Sequence, residues 1–172
     1  MSVRLRPARP DDAPALAALA RESFIAAFGD LYREEDLSTF LAEHKTAERY
    51  REVLRDSGTC IQLAETGGAL MGYCQLRCPS AFKSKSDQKN PIELQQLYLA
   101  PDLTGHGIGA ALMDWALDKA RVLGCDAVQL SVYSENFGAQ RFYARYGFAK
   151  IADIEFLVGS QRDAEFLYEL RL

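Results

Sequence analysis

Residues 97–109 read Leu97-Tyr98-Leu99-Ala100-Pro101-Asp102-Leu103-Thr104-Gly105-His106-Gly107-Ile108-Gly109. An apolar run closed by Pro101 delivers the chain to three glycines at alternate positions, and a helical pattern begins there. Ile108, Leu112, Trp115, Ala116, Ala120 and Leu123 trace one face of that helix. Gly124 stops it, with Lys119 and Arg121 near its negative end. A strand, a glycine loop and a helix start in this order form an anion cradle. Glycines let backbone N–H groups close on a ligand, and the helix N-terminus carries about half a positive charge. A phosphate or pyrophosphate is its natural occupant. Gly105-x-Gly107-x-x-Ala110 also satisfies a loose dinucleotide fingerprint.

Upstream of the loop, Ile92 to Ala100 is a strand, and Thr59 to Thr66 and Ala69 to Arg77 are two more. Gly67-Gly68 between the last two signals a hairpin, because glycines supply the positive φ of tight reverse turns. The polar stretch from Pro79 to Asn90 reads as a surface loop between strands. Nearer the N-terminus, Ser2 to Arg6 is a short strand, and Asp11 and Asp12 cap a helix with Pro14 in its first turn. Leu16, Leu19, Ala20, Phe24, Ala27 and Phe28 keep helical spacing up to Gly29, and a second helical stretch runs from Glu34 to Asp56 with a break at His44. Downstream, Ala127 to Tyr133 is a strand, Phe137 to Tyr146 a short helix, and Phe148 to Val158 and Ala164 to Leu172 are closing strands. The order β-α-α-β-β-β-α-β-α-β-β predicts one domain over residues 1–172. Its mixed α/β sheet has antiparallel hairpins first and a right-handed βαβ crossover in the middle. A dinucleotide-binding domain normally places its glycine loop in the first βαβ unit, and too little chain follows here for a second mononucleotide half. A dinucleotide-dependent oxidoreductase is therefore the weaker alternative.

The 172 residues are 48% hydrophobic and 26% charged, which excludes intrinsic disorder and collagen-like repeats. Twenty Lys and Arg face 24 Asp and Glu, a net charge of −4, so no general electrostatic grip on nucleic acid or anionic lipid is expected. No stretch reaches the 18 or so apolar residues of a membrane span, and the Arg-rich N-terminus lacks the apolar core of a secretory signal. Cys60, Cys74, Cys78 and Cys125 form no CxxC pair, and only His44 and His106 could join them. No metal site is expected, and the cysteines read as free thiols in a reducing cytoplasm.

A second cluster runs from Leu130 to Phe148 and contains Asn136-x-x-Ala139-x-x-Phe142-Tyr143-x-x-x-Gly147-Phe148. Together with the glycine loop, it resembles the GNAT superfamily of acyl-CoA-dependent N-acetyltransferases, and the strand order is similar to that fold over nearly the whole chain. The resemblance implies a GNAT-like mixed, mostly antiparallel sheet flanked by helices, with central splayed parallel strands. It implies acetyl-CoA as co-substrate, with pantetheine in the gap beside the strand. Backbone groups of Leu97 and Leu99 would pair with it, one N–H polarising the thioester carbonyl. Thr104, Gly105, His106, Gly107, Ile108 and Gly109, continuing into Ala110, would hold the pyrophosphate. Asn136 matches a cofactor-contacting asparagine, and Tyr143 the tyrosine that donates a proton to the departing CoA thiolate. The family usually has Gln or Arg where Thr104 stands, which implies weaker cofactor affinity rather than lost activity. Many members dimerise, and nothing in these residues decides for or against a homodimer.

Aminolysis of a thioester needs a neutral amine, a polarised carbonyl and a protonated leaving group, and no enzyme nucleophile. Glu93 is the candidate general base, with Tyr133 behind it; a solvated strand-edge carboxylate is the other reading of Glu93. His106 is expected to be exposed and dispensable. Asn136 also reads as the cap of its own helix. The pattern Ser23-Phe24-x-x-x-Phe28-Gly29-x-x-Tyr32, then Glu35-Asp36-Leu37 and Glu93-Leu94-Gln95-Gln96-Leu97-Tyr98, is similar to the polyamine-acetylating branch of the family. Phe24, Phe28 and Tyr32 would then line a site for a small primary amine, although such aromatics read equally as core. A non-catalytic CoA-binding regulator is the alternative that keeps the cradle and drops the chemistry.

Overall fold

Seven strands form one sheet in a computed structural model that describes residues 2–172. In chain order the elements are β1 (Arg4–Pro7), α1 (Ala13–Phe28), α2 (Glu34–His44), α3 (Ala47–Arg55), β2 (Thr59–Thr66) and β3 (Ala69–Arg77). There follow β4 (Pro91–Leu99), α4 (Ile108–Val122), β5 (Ala127–Tyr133), α5 (Phe137–Arg145), β6 (Ala149–Val158) and β7 (Gln161–Arg171). The sheet order is β1-β2-β3-β4-β5-β7-β6, and every neighbouring pair is antiparallel except β4 with β5.

That exception creates the site. β4 and β5 pair only through Pro91↔Ala127, Ile92↔Val128 and Glu93↔Gln129, and then part. On its other edge β4 pairs with β3, where Gln75 faces Gln96 but Leu76 faces Leu94, so Gln95 is an extra residue. A bulge of this kind bends the strand that carries it, and here it falls where β4 leaves β5. Gly72 on β3 lets β4 come close, since a Cβ there would stand 2.8 Å from the Tyr98 carbonyl oxygen.

Alternation along the strands divides the core into two faces. Leu112, Met113 and Ala116 of α4 pack against Cys74 and Leu76 of β3 and Ile92 of β4. On the opposite face Leu16, Ala17 and Ala20 of α1 and Tyr50 of α3 pack against Leu63 and Tyr73. A third cluster joins Phe24 of α1, Phe40 and Leu41 of α2 and Val158 of β6.

The mixed, mostly antiparallel sheet and its splayed parallel pair match expectation. One strand differs. β7 begins at Gln161 rather than Ala164, because Gly159 at φ 57° turns the chain so tightly that Val158 faces Gln161. The polar run 159–163 reads as a loop in the sequence, yet most of it is strand. Asp36 of α2 pins the turn, its carboxylate accepting from the Ser160 N–H at 3.0 Å. The single parallel pair removes the oxidoreductase alternative, which needs two parallel mononucleotide-binding halves. Among the described residues no helix is long and apolar enough to cross a membrane, and no cluster of three or more His, Cys, Asp or Glu could hold a metal.

Candidate active site

A cavity of about 1200 Å³ fills the gap where β4 and β5 part, running from the start of α4 to α1 and α2. Its two ends are built differently.

At the α4 end the lining is largely backbone. Asp102, Gly105 and Gly107 take positive φ of 64°, 83° and 79°, and Gly107 is the N-cap of α4 with no side chain bonded to the helix end. The first N–H groups of a helix have no partner within it, so those of Ile108, Gly109 and Ala110 are available to a ligand. A Cβ at Gly105 or Gly107 would meet nothing within 4 Å. The loop therefore presents bare main chain beneath open space, which fits a phosphoryl group. Thr104, Gly105, Gly107, Gly109 and Ala110 line the cavity, as do Leu97 and Leu99 of β4. Two expected residues do not: the His106 side chain is exposed, and that of Ile108 is buried in the core at 2% exposure. Only their main chain belongs to the loop.

α5 forms the next stretch of wall. Asn136 caps this helix, its Oδ1 accepting from the Ala139 N–H at 3.2 Å, and it also lines the cavity. The Tyr143 ring is packed by Phe142 and Phe148, with centroids 5.5 and 5.8 Å away. Its hydroxyl is bonded to no described residue, and burial raises its pKa above the ordinary tyrosine value. A tyrosine held protonated in the cavity wall can act as a proton donor.

The far end is made of side chains. Phe24 stacks on Phe40 at 4.7 Å and approaches Phe28 at 5.3 Å and Tyr32 at 6.1 Å. At 2% exposure Phe24 belongs to the core as well as to the wall, whereas Phe28 and Tyr32 are half-buried. The Tyr32 hydroxyl donates to the Asp163 carboxylate.

Glu93 does not line the cavity. It lies in the part of β4 still paired with β5, and its carboxylate accepts from the Ala81 N–H at 3.2 Å. The cavity wall begins one residue later, at Leu94. Glu165 of β7, which pairs with Tyr133, does line it, as does Asp102 in the loop at the α4 end. Burial raises the Glu165 pKa above the usual carboxylate range, against an opposing hydrogen bond from Ser131. Sequence reasoning missed this residue although it lies inside the expected strand Ala164 to Leu172, because nothing local says that β7 runs beside β5 and sets Glu165 opposite Tyr133. Lys45, between α2 and α3, is also in the wall at 4% exposure. A lysine after a helix end carries no signal in the sequence that it turns inward.

Residues 18–148 match the family model described as "Acetyltransferase (GNAT) family". An uncharacterised N-acetyltransferase of Mycobacterium tuberculosis is 32% identical over 156 residues, 91% of this chain and 95% of that protein. The spermidine N(1)-acetyltransferase of Thermoplasma acidophilum is 28% identical over 176 residues, covering 98% and 99% of the two chains. Among solved structures, PaiA N-acetyltransferase of Thermoplasma acidophilum in complex with coenzyme A superposes with a TM-score of 0.81 at 23% identity, over 100% of both chains.

Proposed function

The chain belongs to the GNAT family of acetyltransferases, and on that premise we propose that residues 1–172 form one N-acetyltransferase domain that moves acetyl from acetyl-CoA directly to the primary amine of a small molecule. The observation that carries the reading is the splay of β4 from β5 beside a bare glycine loop, with Tyr143 in the same cavity. Bound acetyl-CoA supplies the thioester, the activated acyl group.

The protein's own groups divide the remaining work. Main-chain N–H groups from Thr104 to Ala110 hold the pyrophosphate, and Asn136 borders the same ligand. Along β4, backbone groups of Leu97 and Leu99 that β5 leaves unpaired bond the pantetheine, and one N–H polarises the thioester carbonyl. A single preorganised donor of this kind is worth about 3 kcal/mol. Glu165 takes the proton from the acceptor ammonium; burial that raises its pKa also makes it a better base. Tyr143 gives its proton to the departing sulfur. These two groups are also what separates an enzyme from a CoA-binding regulator.

Within the small amines, a polyamine has two supports. One is the similarity to the Thermoplasma spermidine acetyltransferase. The other is a wall that combines aromatic faces with the Glu165 carboxylate, a setting that suits an alkylammonium.

Thermal unfolding with acetyl-CoA, CoA and NAD in parallel tests the reading. A ligand at 100 times its dissociation constant stabilises by about 2.7 kcal/mol, or about 5–10 °C at this chain length. Acetyl-CoA and CoA are expected to raise Tm and NAD to leave it unchanged, and acetyl transfer to amines is then measured, starting with spermidine. No shift with acetyl-CoA in folded protein would overturn the reading.

A further inference from the structure

Burial strips water from an ammonium, and a folded protein normally supplies a carboxylate in compensation. Lys45 has none. It caps the C-terminus of α2, and its side chain turns inward until the residue is 4% exposed. Nζ lies 5.9 Å from the Phe24 ring centre and 5.5 Å from that of Tyr98, at the outer limit of cation–π attraction. Among the described residues no carboxylate stands within ion-pair distance of it. The nearest acid in sequence, Glu43, is exposed and lies 3.8 Å from His44 instead. Burial lowers the Lys45 pKa to about 8.

The surroundings indicate which ligand could serve as counter-ion. Lys45 Nζ packs against Phe24 of α1 and Tyr98 of β4. It shares the cavity with Glu165 without pairing to it. The Tyr98 ring that carries Lys45 belongs to the same wall, and burial raises the pKa of its hydroxyl, with the charges of Tyr143 and Glu165 adding to the effect. Of the charged or basic side chains that line this cavity, His44, Arg145 and Asp102 are exposed and Glu165 is half-buried, so Lys45 is the one buried cation.

We propose that Lys45 binds a carboxylate on the acceptor, so that the substrate is an aminocarboxylate spanning from Glu165 to Lys45. This rests on the acetyltransferase reading for the chemistry but not for the binding. It also narrows that reading, because a polyamine would bring a second ammonium against Lys45.

The test compares pairs of amines that differ by loss of carbon dioxide: lysine with cadaverine, phenylalanine with phenethylamine, and 5-aminopentanoate with butylamine. Spermidine is run beside them. Binding to CoA-saturated protein is measured by calorimetry, and acetyl transfer from acetyl-CoA separately. A charge-assisted contact predicts that the acid of at least one pair binds about ten- to a hundredfold tighter than its amine. In Lys45→Met that ratio falls to about one, and Lys45→Arg restores part of it. The acetyl-CoA thermal shift of each variant establishes that it is folded. No preference for the acid in any wild-type pair, or spermidine bound more tightly than every acid, would overturn the proposal. So would a loss in Lys45→Met of kcat on acids and amines alike, since that would make Lys45 part of the chemistry. Preferential binding without any acetyl transfer would leave Lys45 in its role and overturn the acetyltransferase reading instead.

Discussion

The two ends of the cavity meet the same demand by different means. Where α4 begins, the wall is main chain: positive-φ glycines, unclaimed helix N–H groups and the edge of a strand its neighbour has left. Beyond Tyr98 the wall is side chains drawn from α1 and α2 and, more than a hundred residues further along the chain, from β6 and β7. A main-chain site depends on the local path of the backbone and tolerates changes of side chain, Thr104 among them. A side-chain site depends on tertiary contacts, and each member can be exchanged singly. The first suits a ligand common to a whole family, the second an acceptor that varies.

Removing the proton donor is expected to break this arrangement most. Tyr143→Phe should lower kcat by about 10²–10⁴-fold while the acetyl-CoA thermal shift survives; unchanged turnover would remove Tyr143 from the chemistry. Glu165→Gln should cost about 10²-fold or more in kcat and abolish the acid limb of the pH profile. That limb is expected above the usual carboxylate range, because burial raises the Glu165 pKa and the base must be ionised to act. The same shift has an effect on stability. The folded state holds the Glu165 proton more tightly than the unfolded state, so its contribution is fully present at low pH and is lost as pH rises through the raised pKa. At neutral pH, Glu165→Gln should therefore unfold no earlier than wild type, and the activity loss cannot come from misfolding.

Smaller effects sharpen the contrast between the ends. Gly107→Ala strains a φ of 79° and puts a methyl group into the open space over the loop. A strain of about 1–2 kcal/mol is expected with roughly tenfold weaker acetyl-CoA binding and an unaltered preference among amines. Calorimetry with acetyl-CoA reads the first effect and acceptor kinetics the second. Glu93→Gln, outside the cavity, should change kcat less than about twofold, against the loss at Glu165. Asn136→Ala removes the α5 cap and should lower stability by about 1 kcal/mol, or about 2–4 °C in Tm.

The contrast also explains what could be read before the chain was folded. Gly105, Gly107, Asn136 and Tyr143 stand at short, regular separations on one strand–loop–helix unit and the unit after it. Local sequence determines whether a glycine takes positive φ, whether a helix starts and which residue caps it. The residues that line the α4 end of the cavity could therefore be anticipated almost one by one. His106 and Ile108 were the exceptions, because the direction of a side chain at a helix start depends on what packs above it. The aromatic pattern from Phe24 to Tyr32 pointed to residues that line the cavity but not to how much of each ring would be core.

Hydrophobic periodicity, turn chemistry and the glycine loop determined by themselves that this chain forms a mixed sheet with a bare main-chain loop and a helix start at its middle crossover. Only the tertiary structure decided that Glu165 and not Glu93 faces the cavity. Glu93 lies before the point where β4 and β5 part, and Glu165 is carried opposite Tyr133 by the insertion of β7 between β5 and β6. It also decided that Lys45 turns inward between Phe24 and Tyr98 rather than into solvent. The reason is physical: backbone conformation follows from neighbours in the chain, whereas the burial and pairing of a charge follow from neighbours in space.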